Sequence, residues 1–338
     1  MTAEILQKYL INQTNFGKLD SRAFEELGGN KSKDSNHQRS VPTLIQQRDM
    51  MGWNAKDITK HELIIEDKIV KGSVVVRTYR QKSLKEKILP VLFYIHGGGF
   101  FGGSIENVEQ ICRAFADKAA LEVISIGYRL APENPFPAGL LDCYSVVEYY
   151  ATNAKKELVD STNFSIAGDS AGGNLSLTTA LLDCAYFKTN YLSKIVLYYP
   201  AVDLYAASNS DIYDTSEYVL EDENEAQMVH NYIKGFSNGG EVQVNVWYGG
   251  EKDRKNPLIS PAYANDSDLK LLPPIQAIIG EFDPLRLQTD YFVAHLLELN
   301  HSVEYKIYNG MIHAFLDKVG DYPQAEQGID DAIAFLTK

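Results

Sequence analysis

The strongest constraint on this chain is a five-residue turn. Gly168-Asp169-Ser170-Ala171-Gly172 follows the apolar run Phe164-Ser165-Ile166-Ala167 and precedes a helix-prone stretch from Leu175 to Cys184. A strand must therefore pass into a helix across a sharp corner with a serine at its tip. Glycines two residues to either side keep Cβ atoms out of that corner. The helix N-terminus beneath the serine favours negative charge. Ser170 is the first candidate functional residue, because an exposed hydroxyl in that place can attack an acyl carbonyl.

Glycine and serine also occur together in ordinary loops, so the surroundings decide the reading. From Leu89 onward the chain alternates strand and helix. Strand candidates are Leu89–Ile95, Glu122–Gly127, Asn163–Ala167, Lys194–Tyr199, Ile275–Ile279 and Ser302–Tyr308. They are short apolar runs, as parallel strands covered on both faces should be. Helical stretches are Val108–Ala119, Leu140–Ala151, Leu285–Leu299 and Gln324–Leu336. Two β-rich runs, His61–Glu66 and Gly72–Arg80, come before them. The fold class predicted is α/β, a mostly parallel central sheet of about eight strands flanked by helices. The chain has 338 residues, 45% of them hydrophobic, enough for one main domain with an insertion.

Two regions depart from the alternation. Residues 1–60 have helical patterning at Glu4–Leu10 and Thr43–Met51, around a polar loop from Gly28 to Asn36. Between Pro200 and Pro273 the connection is too long for a simple crossover. It carries an acidic, helix-prone piece, Glu221–Phe236, and then Trp247-Tyr248-Gly249-Gly250. Long insertions in compact domains tend to be lids or binding elements. The expected organisation is an N-terminal helical cap segment at 1–60 and a core at 61–338. A cap insertion at about 203–255 then helps to cover Ser170.

A serine needs a base, a group to orient the base, and donors for the developing oxyanion. His313, in the glycine-containing loop Gly310-Met311-Ile312-His313 after the last strand, is the candidate base. Asp283 follows the Ile275–Ile279 strand and can hold the imidazole in its useful tautomer. Glu281, two residues earlier, is the competing acid or else a solvated loop residue. His96 opens the run His96-Gly97-Gly98-Gly99-Phe100 and is read as a support for that loop. Gly98 and Gly99 can bring backbone N–H groups close to an oxyanion, and Ala171 adds a third. The order Ser, Asp, His is that of one large hydrolase fold.

At these residues the chain resembles the hormone-sensitive lipase family of carboxylesterases. The resemblance covers about residue 61 to the C-terminus. It rests on His96–Phe100, on the block from Tyr128-Arg129-Leu130-Ala131-Pro132 to Ala138, and on Gly168–Asn174. It continues through Ser260-Pro261, Leu272-Pro273-Pro274, Asp283-Pro284-Leu285-Arg286 and Gly310–Phe315. It implies an α/β-hydrolase fold with a helical cap, a Ser170–His313–Asp283 triad, and an oxyanion hole from Gly98, Gly99 and Ala171. The Tyr128–Ala138 block then reads as a structural loop below the site. Leu287 stands where the family often has an acidic residue, Ala314 replaces a common glycine, and Asn134 stands where histidine is frequent.

The expected activity is that of a serine carboxylesterase, hydrolysing small to medium uncharged acyl esters through an acyl-enzyme. Two alternatives stay open. One is a ligand-binding protein on an inactive scaffold, as in the gibberellin receptors, which resemble this family without its catalytic histidine. The other is an amidase using the same residues. A net charge of -13 argues against nucleic acid and anionic membrane surfaces as partners. No apolar stretch is long enough for a transmembrane helix, and no signal peptide is visible at the N-terminus. Three widely spaced cysteines, Cys112, Cys143 and Cys184, fit reduced thiols in a cytoplasmic protein. The histidines lack metal-ligand spacing, so neither metal nor cofactor is expected. The partner expected is a small-molecule ester, and a homo-oligomer is left open.

Overall fold

Valine, isoleucine and aromatic residues dominate the apolar runs, and such runs suit strands packed on both faces. The computed structural model describes residues 8–11, 16–29, 43–51, 55–205, 213–236, 248–249 and 253–338. Among these residues one nine-stranded sheet forms. Its strands are β1 (Leu10–Ile11), β2 (Leu63–Val70), β3 (Val74–Gln81), β4 (Leu89–Ile95), β5 (Glu122–Gly127), β6 (Val159–Asp169), β7 (Leu192–Tyr198), β8 (Ile275–Gly280) and β9 (Val303–Tyr308). Their order is β1-β9-β8-β7-β6-β4-β5-β3-β2. β3 is antiparallel to both β2 and β5, and the other pairings are parallel.

Eight strands stand where the sequence places them. The ninth, β1, corrects the helical reading of Glu4–Leu10 at its C-terminal end. It pairs with β9 through Leu10↔Ile307 and Ile11↔Tyr308. The free edge of β9 offers unpaired N–H and C=O groups, and backbone pairing overrides a weak local helical pattern. Parts of residues 1–60 thus attach directly to the core. The Lys56 N–H donates to the Val319 carbonyl at 2.8 Å, and those of Lys60 and His61 donate to Asp117 Oδ1 at 2.9 and 2.6 Å.

All six residues of β8 are buried, as are all of β4 but Pro90. Edge-to-face rings tie the centre together, with Phe93 5.3 Å from Phe164 and 5.8 Å from Tyr150. The helices Glu109–Lys118 and Pro323–Leu336 pack on each other, as do Ala138–Thr152 and Ala171–Leu181.

A second, smaller apolar cluster joins the N-terminal segment to the insertion. Leu19 and Ala23 meet Tyr218, Val229 and Ile233 there, over Leu287 of the core. The Leu19 N–H donates to Glu225 Oε2 at 3.0 Å, and the Glu221 N–H to the Gly17 carbonyl at 2.9 Å. Polar side chains start three helices of the N-terminal segment and the insertion. Asp20 caps Ser21–Glu26, Asp222 caps Glu223–Gly235, and Thr43 with Gln46 forms a capping box on Leu44–Asp49. Most of Glu4–Leu10, most of the Gly28–Asn36 loop, and Trp247 lie outside the described residues.

The chain leaves β4 for β5 on one side, then returns to place β6 on the other. Strand order reverses at β4, and in open α/β sheets the crevice at such a point, at the C-terminal strand ends, is where ligands bind. Ile95 and Gly168 are register partners at that end.

Candidate active site

The corner after β6 is strained. Ser170 has φ 53° and ψ −115°, outside the regions most non-glycine residues occupy. Backbone bonds on both sides hold it there. Its N–H donates to the Tyr198 carbonyl at 2.9 Å, and its carbonyl accepts from Asn174 at 3.1 Å and Ala201 at 3.3 Å. A Cβ on Gly172 would lie 2.0 Å from the Ile95 carbonyl oxygen, so only glycine lets the corner touch the end of β4. The following helix, Ala171–Leu181, is buried throughout. Its Ser176 and Thr178 hydroxyls donate back to the Gly172 and Asn174 carbonyls, at 2.8 and 2.9 Å.

The glycine run folds against this corner. Gly98 has φ 112°, and a Cβ there would come within 2.3 Å of the Gly102 carbonyl oxygen. Asp169, read in the sequence only as part of the turn, ties the two loops together. Its carboxylate accepts from the Gly97 N–H at 3.0 Å and the Tyr94 hydroxyl at 3.2 Å. Burial pushes Asp169 up to about 6. His96 supports the run from below. Its Nδ1 lies 2.8 Å from the Gly97 carbonyl, and its ring stacks on Tyr128 at 4.3 Å. Burial pulls its imidazole down to about 4. The Tyr128 hydroxyl donates to the His96 carbonyl, and the Ala131 N–H to that of Phe100. The Tyr128–Ala138 block therefore does lie under the loop. Among the described residues, no protein acceptor takes the N–H groups of Gly98, Gly99 or Ala171. All three residues line the cavity that Ser170 lines.

His313 and Asp283 come from loops after β9 and β8. His313 Nε2 lies 3.1 Å from Ser170 Oγ, and its Nδ1 lies 2.8 Å from Asp283 Oδ2. Asp283 is fully buried, and its Oδ1 accepts from the Leu285 N–H at 2.8 Å. With Nδ1–H donating to the carboxylate, Nε2 is left to accept from the serine. Glu281 is neither a competing acid nor solvated, which corrects both sequence readings of it. It is buried, and its two oxygens accept from Gly17 at 2.9 Å and Gly310 at 2.8 Å. It brackets the N-terminal segment to the loop that carries His313.

Sequence reasoning missed several neighbours. The Tyr218 hydroxyl donates to the Asp283 carbonyl at 2.9 Å, and the Arg286 guanidinium lies 4.4 Å over the Tyr218 ring. Tyr199 and Phe236 meet the His313 ring edge-on at 4.8 and 5.5 Å. Arg48 donates to the Phe101 and Ala131 carbonyls and, through two nitrogens, to Glu133. That clips the Leu44–Asp49 helix beside the glycine run and sets Met51 into the cavity wall. Arg286 stands within the Asp283–Arg286 motif, but no local motif marks Arg48, Met51, Tyr199, Tyr218 or Phe236. The cavity has a volume of about 250 Å3, and Met51, Phe101, Leu204 and Phe236 give it a largely apolar lining. Among the described residues, no group of three or more His, Cys, Asp or Glu is placed to hold a metal ion. No described helix is long and apolar enough to cross a membrane.

Comparison with known proteins agrees with this architecture. Residues 92–317 match the pattern of a family with the α/β hydrolase fold. An arylesterase of Saccharolobus solfataricus is 33% identical over 233 residues, 67% of this chain and 68% of that protein. A carboxylesterase of Mycobacterium tuberculosis is 29% identical over 285 residues, 82% of this chain and 83% of that one. The structure of an esterase from Pyrobaculum calidifontis superimposes with a TM-score of 0.73 at 26% identity, covering 94% of this chain and 98% of the other. On these matches the chain belongs to the α/β hydrolase family, in the hormone-sensitive-lipase type of carboxylesterases that its motifs resemble.

Proposed function

We propose that this protein is a serine carboxylesterase for small to medium uncharged acyl esters. The observation that carries the reading is the relay from Ser170 Oγ to His313 Nε2 at 3.1 Å and from His313 Nδ1 to Asp283 at 2.8 Å. The arylesterase and carboxylesterase relatives support it. In the first half-reaction Ser170 Oγ attacks the acyl carbonyl carbon while His313 Nε2 takes the hydroxyl proton. The carbonyl oxygen becomes an oxyanion and receives the N–H groups of Gly98, Gly99 and Ala171. One such donor contributes roughly 3–4 kcal/mol in comparable sites. Collapse expels the alcohol, which leaves with the proton from His313. A water then attacks the acyl-enzyme as His313 accepts its proton, and Ser170 departs with that proton as the acid is released. Asp283 keeps the imidazole in the tautomer both steps need.

The same proposal assigns the segment before residue 61 and the insertion at about 203–255 a covering role over this chemistry. Phe236 from the insertion and Met51 from the N-terminal segment both line the cavity. A small apolar cavity favours short, uncharged acyl groups. The free, buried Cys112, Cys143 and Cys184 support a reducing, cytoplasmic setting.

Hydrolysis of p-nitrophenyl acetate, butyrate, octanoate and palmitate by wild type and Ser170→Ala tests the reading. Turnover of the short esters by wild type and its loss in the variant is expected. Equal turnover by both proteins, or none by wild type on any ester, would overturn it.

A further inference from the structure

One polar side chain in the cavity has no task in the chemistry above. Asp317 sits in the short helical turn Phe315–Lys318, four residues beyond His313. It is 1% exposed and lines the same cavity as Ser170. Neither of its carboxyl oxygens has a hydrogen-bond partner among the described residues. Asp169 beside it differs, because Gly97 and Tyr94 already occupy its two oxygens. The neighbouring Lys318 ammonium is engaged elsewhere, 3.1 Å from Glu26. Tyr199, whose ring meets His313 at 4.8 Å, also buries a hydroxyl that no described residue satisfies.

Buried carboxyl groups in folded proteins are nearly always satisfied, and one left unpaired in an apolar pocket costs stability. The cost has a purpose if the missing partner arrives with the ligand. A site built to hydrogen-bond a substrate hydroxyl also discriminates strongly against the analogue without it, because the empty site then keeps an unpaired polar group.

We propose that Asp317 is a specificity-determining residue whose carboxyl receives a hydroxyl on the substrate's acyl chain, so that the preferred substrates are esters of short hydroxy acids. The acyl half is chosen because it stays in the cavity, attached to Ser170, through both half-reactions, whereas the alcohol departs after the first. Asp317 and Ser170 line one cavity of about 250 Å3, the size of a short acyl chain. A hydroxyl suits the site better than a cation. Burial and the nearby Asp169 raise the Asp317 carboxyl well above the usual carboxylate range, which favours its protonated form. A protonated carboxyl both donates and accepts, which is the complement of an alcohol.

The inference rests on the esterase reading, and one experiment separates the two. Ethyl butyrate, ethyl 3-hydroxybutyrate, ethyl 4-hydroxybutyrate and 2-hydroxyethyl butyrate are compared by pH-stat, as kcat/KM, with wild type, Asp317→Asn and Asp317→Leu. Wild type is expected to prefer at least one hydroxybutyrate over butyrate by tenfold or more. Asp317→Leu should abolish that ratio, and Asp317→Asn, whose amide still donates and accepts, should retain much of it. No turnover of any ester by wild type defeats the esterase reading itself. Turnover of ethyl butyrate without preference for either hydroxybutyrate defeats only the role of Asp317, and needs no variant to fold. An unchanged ratio in Asp317→Leu, or a preference confined to the hydroxyl on the alcohol half, would also overturn it.

Discussion

The corner around Ser170 and the apolar cluster beside it are built by opposite means. The corner is local. Five consecutive residues set its path, glycine is required where Gly172 touches Ile95, and the strand from Phe164 to Asp169 and the helix after it are buried throughout. The cluster is assembled from distant pieces. Leu19 and Ala23, Tyr218 to Ile233, and Leu287 meet across more than two hundred residues of chain, held by a few polar bonds such as that from Leu19 to Glu225. In the proposed reading the first region places the reacting atoms, and its close backbone contacts leave little room for larger side chains. The second shapes the room around them through packing that many sequences could supply. Substitutions in the corner should therefore act on kcat, and those in the cluster wall on KM and chain-length preference.

The largest expected contrast lies between two acids two residues apart. Asp283→Asn should lower kcat by about 10^4, since an amide no longer fixes the imidazole tautomer. Glu281→Gln should change kcat by less than about tenfold. It should cost about 1–3 kcal/mol of stability as one buried N–H loses its acceptor. Ester kinetics together with thermal melts of the two variants check this. Equal losses of kcat would erase the distinction between relay and bracket.

The next contrast concerns pH. His96 takes a proton only near pH 4 when folded, against an ordinary value of 6.5. The unfolded chain thus binds more protons between those values, and stability is lost as pH falls through that window, by about 3 kcal/mol from this group. Asp169 has the opposite sign. It is pushed up from 3.8 to about 6, so the folded chain binds more protons across an overlapping window and gains stability on acidification. The two nearly offset each other. His96→Asn removes only the first, so its stability relative to wild type should rise between pH 7 and pH 4.5 in denaturant titrations. A constant difference would show that His96 is not held neutral.

A smaller effect is expected from the cavity wall. Phe236→Ala opens space beside His313 and should raise KM for short esters roughly tenfold with kcat held within a few-fold. Relative activity should shift toward octanoate. A dominant loss in kcat would move Phe236 from wall to relay support. The smallest effect belongs to Ala314, which holds a left-handed conformation with φ 63°. Ala314→Gly relieves that strain and should stabilise the fold by up to about 1 kcal/mol, read as a raised melting temperature with ester kinetics unchanged.

What was legible in the sequence follows the same division. Strand β8 and the corner after β6 were readable because period, apolar run length and glycine spacing are local signals. The strand β1 was misread because its pairing depends on the free edge of β9, almost three hundred residues away. Ser170, Asp283 and His313 could be named from motifs, and the structure brings them within hydrogen-bonding distance. Glu281 was misjudged because its partners, Gly17 and Gly310, carry no side-chain signal. Tyr218 and Phe236 went unnoticed for the same reason: each meets the site through a contact made only when the chain has folded.

Covalent labelling asks whether Ser170 is the attacking nucleophile. Wild type is treated with a p-nitrophenyl alkylphosphonate, and the adduct is mapped by peptide mass spectrometry alongside residual esterase activity. One phosphonyl group per chain is expected, on Ser170, with activity lost in proportion and no labelling of His313→Ala on the same timescale. An enzyme that keeps full activity with Ser170 labelled, or loses activity with the label elsewhere, would contradict it.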